Sequence, residues 1–111
     1  MTIEIVQEAD RHVAKLSGNV DTASAGVIQR RVGPLCDAEG AKGLIDCREI
    51  GYLNSSCFGE FSKLHHSCAL HGGALVLCGL DDGAHEIMQL LGLMDVVTVV
   101  STYEEAVAAL T

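Results

Sequence analysis

The chain has 111 residues, which suits one domain, and 49% of them are apolar, so a folded aliphatic core is expected. Its formal net charge of −8, with no run of lysines or arginines, disfavours nucleic acid and anionic membranes and favours a basic protein partner or an uncharged one. The acidic N-terminus does not resemble a signal peptide, and no apolar run reaches the ~20 residues of a membrane span. We therefore expect a cytoplasmic protein.

The first half of the chain predicts two strands, a helix and a third strand. TIEIVQ and HVAKLSG alternate apolar and polar residues, as half-buried strands do. TASAGVIQRRV has helical spacing, with Asp21 or Thr22 as its cap. Gly33–Pro34 is expected to end or kink this helix, because proline removes a backbone donor and clashes with the preceding turn. GLIDC fits a buried strand, and the following REIGYLNS is predicted to be a loop.

The second half predicts three helices and two strands. A helix starts near Ser56 and ends at Gly72–Gly73. Its predicted core face consists of Cys57, Phe58, Phe61, Leu64, Cys68 and Leu70. ALVLC and VVTVV read as strands, and DDGAHEIMQLLG and STYEEAVAAL as helices with acids in their first turns.

This alternation of strands and helices predicts an α/β fold with one domain over residues 1–111. The order β-β-α-β-α-β-α-β-α favours a mostly parallel central sheet with right-handed crossovers. An antiparallel strand is expected at the N-terminal edge, and about four helices cover the sheet.

Catalytic motifs are absent from the sequence. It contains no G-x-S-x-G elbow and no phosphate-binding Walker loop. The five cysteines are evenly spread and include no C-x-x-C pair, so they indicate small buried hydrophobes in a reducing compartment. We therefore expect no enzyme, no catalytic residue and no cofactor.

The segment HHSCALH holds the densest set of metal-ligand residue types. His65, Cys68 and His71 fall three residues apart on the predicted helix. A small metal-binding protein is the third-ranked interpretation, because no second cluster supplies a fourth ligand and Cys68 is on the core face. Ordinary, partly exposed histidines are the preferred interpretation.

The adjacent serines Ser55 and Ser56 stand at the predicted start of a helix. Serine is a preferred N-cap, so one hydroxyl is predicted to cap the helix, an interaction worth ~1 kcal/mol. A helix start also has unpaired N–H groups and a partial positive charge, which tolerate a phosphate. Capping and phosphorylation are therefore compatible roles for the pair.

Five segments occur along nearly the full length in an order that resembles the STAS family, which includes bacterial anti-sigma-factor antagonists. They are LSGNVDTASA, GLIDCREIGYLNSSCFG, HGGALVLCGL, LLGLMDVV and STYEEAVAAL. The family pattern Asp-Ser-Ser/Thr-Gly-Leu-Gly corresponds here to Asn54-Ser55-Ser56-Cys57-Phe58-Gly59.

The resemblance implies a partner-switching antagonist that is a binder and a kinase substrate. Its unmodified form would bind an anti-sigma factor that is also a GHKL-type serine kinase. Phosphorylation at Ser55, with Ser56 as runner-up, would release the partner, and a metal-dependent serine phosphatase would restore binding. The implied partner-binding residues are Asn54, Ser55, Ser56, Cys57, Phe58, Gly18, Asp21 and Thr22.

The alternative is a STAS adaptor that binds its partner constitutively in a scaffold or transport-associated complex. Asn54 stands where the family has Asp, and Cys57 stands where it has Gly; both departures favour this alternative. Under the adaptor hypothesis Ser55→Asp leaves partner binding intact, whereas the switch hypothesis predicts its loss.

Overall fold

Five strands and four helices follow one another in the predicted order in a computed structural model of all 111 residues. The strands are β1 (Thr2–Glu8), β2 (Arg11–Val20), β3 (Lys42–Leu53), β4 (Ala74–Cys78) and β5 (Thr98–Val100). The helices are α1 (Thr22–Cys36), α2 (Ser56–Leu70), α3 (Asp82–Leu90) and α4 (Tyr103–Ala109). No helix combines the length and apolar character that crossing a membrane requires.

The strands form one sheet in the order β1-β2-β3-β4-β5. β1 pairs with β2 in the antiparallel direction, and every other pair is parallel. The predicted α/β fold, with an antiparallel N-terminal edge, is therefore confirmed. The larger core cluster joins α1, α2 and α3 to the sheet, and a smaller cluster joins α4 to β2, β3 and β4. All five cysteines are buried, as the sequence predicts.

Three helices begin with a polar side chain that accepts a backbone hydrogen bond. Asp21 and Ser24 form a reciprocal capping box at the start of α1. Asp81 accepts a 2.8 Å bond from the Ala84 N–H at the start of α3, and Thr102 accepts one from Glu105 at the start of α4. Each cap satisfies a backbone donor that the first turn of its helix leaves unpaired.

Helix α1 continues through Pro34 to Cys36. The prediction that the helix ends at Gly33–Pro34 is therefore wrong. The proline stands in the last turn, and its exposed ring faces solvent. Gly33 precedes it and has no Cβ to clash with the proline ring. The Asp37 N–H bonds to the Gly33 carbonyl at 3.2 Å, so the last turn closes normally.

Strand β3 continues through the segment that was predicted to be a loop. After Asp46 it loses its pairing with β4 but remains paired with β2, from Ser17↔Glu49 to Val20↔Leu53. Register shifts between β2 and β3 accommodate the extra residues of β3. Pairing with one neighbour was sufficient to extend the strand, although its sequence is polar and contains Gly51.

Leu70 does not lie on the core face of α2, contrary to the prediction. Its side chain is 70% exposed, whereas Cys68 is fully buried. Two residues along an α-helix correspond to a rotation of about 200°, which points Leu70 away from the sheet. The remaining five predicted core residues of α2 are buried.

Candidate partner-binding site

The start of α2 lies where the extended part of β3 leaves the sheet. The Asn54 N–H donates to the Val20 carbonyl at 2.8 Å and so holds this junction against the end of β2. Asn54 Oδ1 accepts from the Ser56 N–H at 2.9 Å and from the Ser56 hydroxyl at 2.8 Å. One amide oxygen therefore satisfies two donors at the helix start.

Neither serine caps the helix, so the prediction of a serine cap is wrong. Ser55 already has helical backbone angles, φ −60° and ψ −26°, and its hydroxyl makes no capping bond. The Ser56 hydroxyl donates to Asn54 instead of accepting from the backbone. The acceptor position is taken by Asn54, one residue earlier, and asparagine is as good a cap as serine.

Cys57 and Phe58 lie beneath this helix start and have no exposed side-chain surface. The Cys57 thiol donates to the Asp21 carbonyl at 3.2 Å, which links α2 to the start of α1. Burial raises the pKa of the Cys57 thiol, so the group keeps the proton that it donates. Phe58 packs edge-on against Phe61, with ring centroids 6.5 Å apart. These two side chains support the site from the core and do not form its surface.

The end of β2, with the turn that leads into α1, forms the neighbouring part of the surface. Gly18 has φ +81°, a conformation that glycine adopts at low cost. Asp21 and Thr22 are exposed. The predicted surface residues outside the core are therefore contiguous, because Val20 and Asp21 contact Asn54 and Cys57 through the bonds described above.

Asp21 gives this surface a fixed negative charge. Its carboxylate accepts from the Ser24 hydroxyl at 3.0 Å and from the Ser24 N–H at 3.1 Å. These bonds, chiefly the one from the Ser24 hydroxyl, hold the pKa of Asp21 below its usual value. Asp21 is thus ionised near neutral pH, on the turn beside Asn54 and Ser55.

The histidine and cysteine residues of α2 do not converge on one point. His65 Nδ1 lies 3.3 Å from the Leu75 carbonyl, and His71 Nδ1 lies 2.8 Å from the Ser67 carbonyl. Cys68 is enclosed in the core. No group of three or more metal-ligating side chains is placed to hold a metal ion.

A polar cluster that the sequence did not indicate lies on the α4 side of the sheet. Asp46 is 2% exposed and accepts from Arg48 Nε at 2.9 Å and Nη2 at 2.8 Å. The guanidinium lies 4.9 Å from the centroid of the Tyr103 ring, and the Tyr103 hydroxyl donates to Glu8. The cluster joins β1, β3 and α4, and only the neighbouring Asp46 and Arg48 could have been paired from the sequence.

The order and topology of these elements match a known domain family. The family model described as STAS domain matches residues 2–106. The chain belongs to the STAS domain family. Within this STAS domain, the resemblance that the sequence suggested is confirmed over nearly the whole chain.

Related proteins and structures cover almost the full length of this STAS domain. The anti-sigma-B factor antagonist of Bacillus subtilis (strain 168) is 23% identical over 107 residues, which cover 96% of this chain and 97% of that protein. The structure of a STAS domain protein from Planctomyces limnophilus has a TM-score of 0.80, 20% identity and 97% coverage of both chains. The Bacillus cell fate determinant SpoIIAA in its phosphorylated form has a TM-score of 0.75 and 16% identity, and covers 99% of this chain and 100% of that one.

Proposed function

We propose that this STAS domain is an anti-sigma-factor antagonist that acts in the bacterial cytoplasm by partner switching. Its unmodified form binds an anti-sigma factor that is also a GHKL-type serine kinase. Phosphorylation of Ser55 releases that partner, and a metal-dependent serine phosphatase restores binding. The observation that carries the proposal is the exposed Ser55 hydroxyl, free of capping bonds, in a chain similar over its length to an anti-sigma-B factor antagonist.

The hydrogen bonds at the helix start favour Ser55 over Ser56 as the phosphate acceptor. The Ser56 hydroxyl donates its proton to Asn54 Oδ1 at 2.8 Å, and a phosphate on Ser56 would eliminate this bond. The Ser55 hydroxyl makes no capping bond, so its modification leaves the Asn54 cap in place. The domain can therefore carry a phosphate at Ser55 without losing the start of α2.

The charge of a phosphate explains why binding would be lost. A phosphoserine adds about −1.5 to −2 charges near neutral pH. Asp21 already provides an ionised carboxylate on the adjoining turn. Burying the phosphate beside this carboxylate, under a partner that offers no matched donors, would be costly, so the bound state would be lost.

The proposed surface consists of the accessible residues of the two adjoining segments. They are Asn54, Ser55, Ser56, Gly18, Asp21 and Thr22. Cys57 and Phe58 contribute by fixing the helix start, since their side chains are in the core. A partner can cover both segments at once, because the bonds from Asn54 to Val20 and from Cys57 to Asp21 hold them together.

The test begins with a pull-down of the unmodified protein from a lysate of its source organism. The recovered anti-sigma factor is then incubated with the protein and ATP. Trypsin releases residues 49–63, EIGYLNSSCFGEFSK, as one peptide, and fragmentation assigns the phosphate to a serine. We expect one phosphate at Ser55, none in Ser55→Ala and continued modification of Ser56→Ala. No phosphate, or stoichiometric phosphate elsewhere, contradicts the switch.

A charge-mimicking variant separates the switch from the adaptor. Ser55→Asp should weaken binding to the recovered partner at least tenfold, as measured by calorimetry. Ser101→Asp adds the same charge at another exposed serine, before α4, and should bind as the wild type does. Equal binding by both variants would support the constitutive adaptor, and recovery of transport or scaffold components would point the same way.

A further inference from the structure

The C-terminal ends of α1 and α2 bring two cysteines together. Cys36 is the last residue of α1, and Cys68 lies in the last turn of α2. The segments that follow are tied to each other, because the Gly40 N–H donates to the His71 carbonyl at 2.8 Å. Both cysteines belong to one core cluster and are at most 2% exposed.

Both cysteines also line a small, partly open cavity. Its volume, measured as the space open to the centre of a water molecule, is about 10 Å³. This is roughly what one water molecule needs. Half-buried His12 and Lys42 line the same cavity. A small uncharged oxidant can therefore approach these thiols more easily than a bulky reagent can.

The two thiols influence each other's ionisation. Their interaction raises the pKa of Cys36 and lowers the pKa of Cys68. The nearby His71 lowers the pKa of Cys68 further. The thiolate is the reactive form of cysteine, so Cys68 is the better nucleophile of the two.

The other three cysteines provide an internal comparison. Burial raises the pKa of Cys47, the pKa of Cys57 and, to about 11, the pKa of Cys78. Cys47 and Cys78 lie on the paired strands β3 and β4, and the carboxylate of Asp46 raises the pKa of both thiols further. Cys68 is thus the one cysteine of the five whose pKa is lowered.

We propose that Cys36 and Cys68 form an oxidisable pair that hydrogen peroxide converts into a disulfide between α1 and α2. Cys68 is the attacking residue and Cys36 is the resolving residue. The site is separate from the proposed partner-binding surface, because 13 residues of helix from Ser55 to Cys68 span about 20 Å. The inference does not depend on partner switching.

The chemistry requires one peroxide and releases two waters. The Cys68 thiolate attacks one peroxide oxygen, the O–O bond breaks, and the departing hydroxide takes a proton to become water. Cys68 is now a sulfenic acid. The Cys36 sulfur attacks the Cys68 sulfur, the S–O bond breaks, and the released hydroxide takes the Cys36 proton. Two thiols are oxidised to one disulfide, and the peroxide is reduced.

Peptide mapping of the full, folded chain tests the proposal. The reduced protein is treated with hydrogen peroxide, and the remaining thiols are blocked before digestion. Trypsin places Cys36 in residues 32–42, and chymotryptic cleavage after Leu70 separates Cys68 from Cys78. We expect the Cys36–Cys68 link to account for most of the cross-linked product. No link, or a dominant link between Cys47 and Cys78, overturns the proposal.

Two further measurements separate geometry from general reactivity. In urea that unfolds the chain, the five cysteines allow ten pairs, and the preference for Cys36–Cys68 should fall at least threefold. Unchanged selectivity in urea would contradict a role for the fold. After treatment with hydrogen peroxide, dimedone, which reacts with sulfenic acids, should label Cys68 in Cys36→Ser at least tenfold faster than it labels Cys36 in Cys68→Ser. The reverse order would contradict the assigned roles, and the wild-type map decides the pairing if either variant fails to fold.

Discussion

Replacing Asn54 tests whether this side chain, and not a serine, holds the start of α2. Asn54→Ala removes the acceptor of both the Ser56 N–H and the Ser56 hydroxyl. Loss of an N-cap costs about 1 kcal/mol, within a range of about 0.5–2 kcal/mol. The unfolding entropy of a 111-residue chain is about 0.23 kcal/mol/K, so 1 kcal/mol lowers Tm by about 4 °C.

Asn54→Asp is the matched control, because it keeps the acceptor oxygen and places a negative charge at a helix N-terminus. That charge contributes about 0.3–1 kcal/mol in favour of the helix, so this variant should be at least as stable as the wild type. Urea unfolding followed by circular dichroism gives the free energies of all variants. The reasoning is refuted if Asn54→Ala is neutral while Ser55→Ala or Ser56→Ala costs about 1 kcal/mol.

Four further substitutions test other parts of the fold. Gly73→Ala places a Cβ 2.2 Å from the Ala41 carbonyl oxygen and should lower the free energy of unfolding by about 1–3 kcal/mol. A Cβ at the exposed helical Gly59 meets nothing within 4 Å, so Gly59→Ala should raise the free energy of unfolding by about 0.5–1 kcal/mol. Equal effects of these two glycine variants in urea unfolding would contradict this contrast. Pro34→Ala restores a backbone donor inside the helix and should raise the free energy of unfolding by about 1–2 kcal/mol. A lower free energy of unfolding would contradict the view that proline destabilises this turn. The pKa of Asp46 is lowered in the fold, chiefly by the hydrogen bond that its carboxylate accepts from Arg48. The ionised carboxylate therefore stabilises the fold above about pH 4, and this stabilisation is lost as the pH falls through the lowered pKa. Asp46→Asn should therefore show a flatter dependence of unfolding free energy on pH in acid than the wild type, and an unchanged slope would contradict this.

The sequence predicted the order of elements because each buried element has its own pattern. The apolar run ALVLC predicted β4, and the β-branched run VVTVV predicted β5 with two extra residues at its start. Helical spacing predicted α1 and α2, and acidic first turns indicated α3 and α4. The extension of β3 could not be predicted, because its polar residues form a strand only through pairing with β2. The continuation of α1 through Pro34 likewise depends on Gly33 and on an exposed position for the ring.

The candidate site was predicted in position but not in detail. Helical spacing already placed Cys57 and Phe58 on the core face, whereas the family resemblance assigned them to the partner surface; the structure shows that spacing was the better guide to their side chains. The Asn54 cap could have been weighed from its residue type, since asparagine and serine are similar N-caps. The contact between Cys57 and Asp21 joins residues 36 positions apart and has no local signal.

The unequal lengths of β3 and β4 have a consequence for motion near Ser55. From Ile50 to Leu53, β3 pairs only with Gly18–Val20 of β2, because β4 and β1 have already ended their pairing. A two-stranded ribbon opens at lower free energy than the middle of a five-stranded sheet. Its amides should exchange with deuterium faster than those of Leu44 and Ile45. Under the proposed switch, this local opening would give the kinase access to Ser55 while the aliphatic interior stays closed.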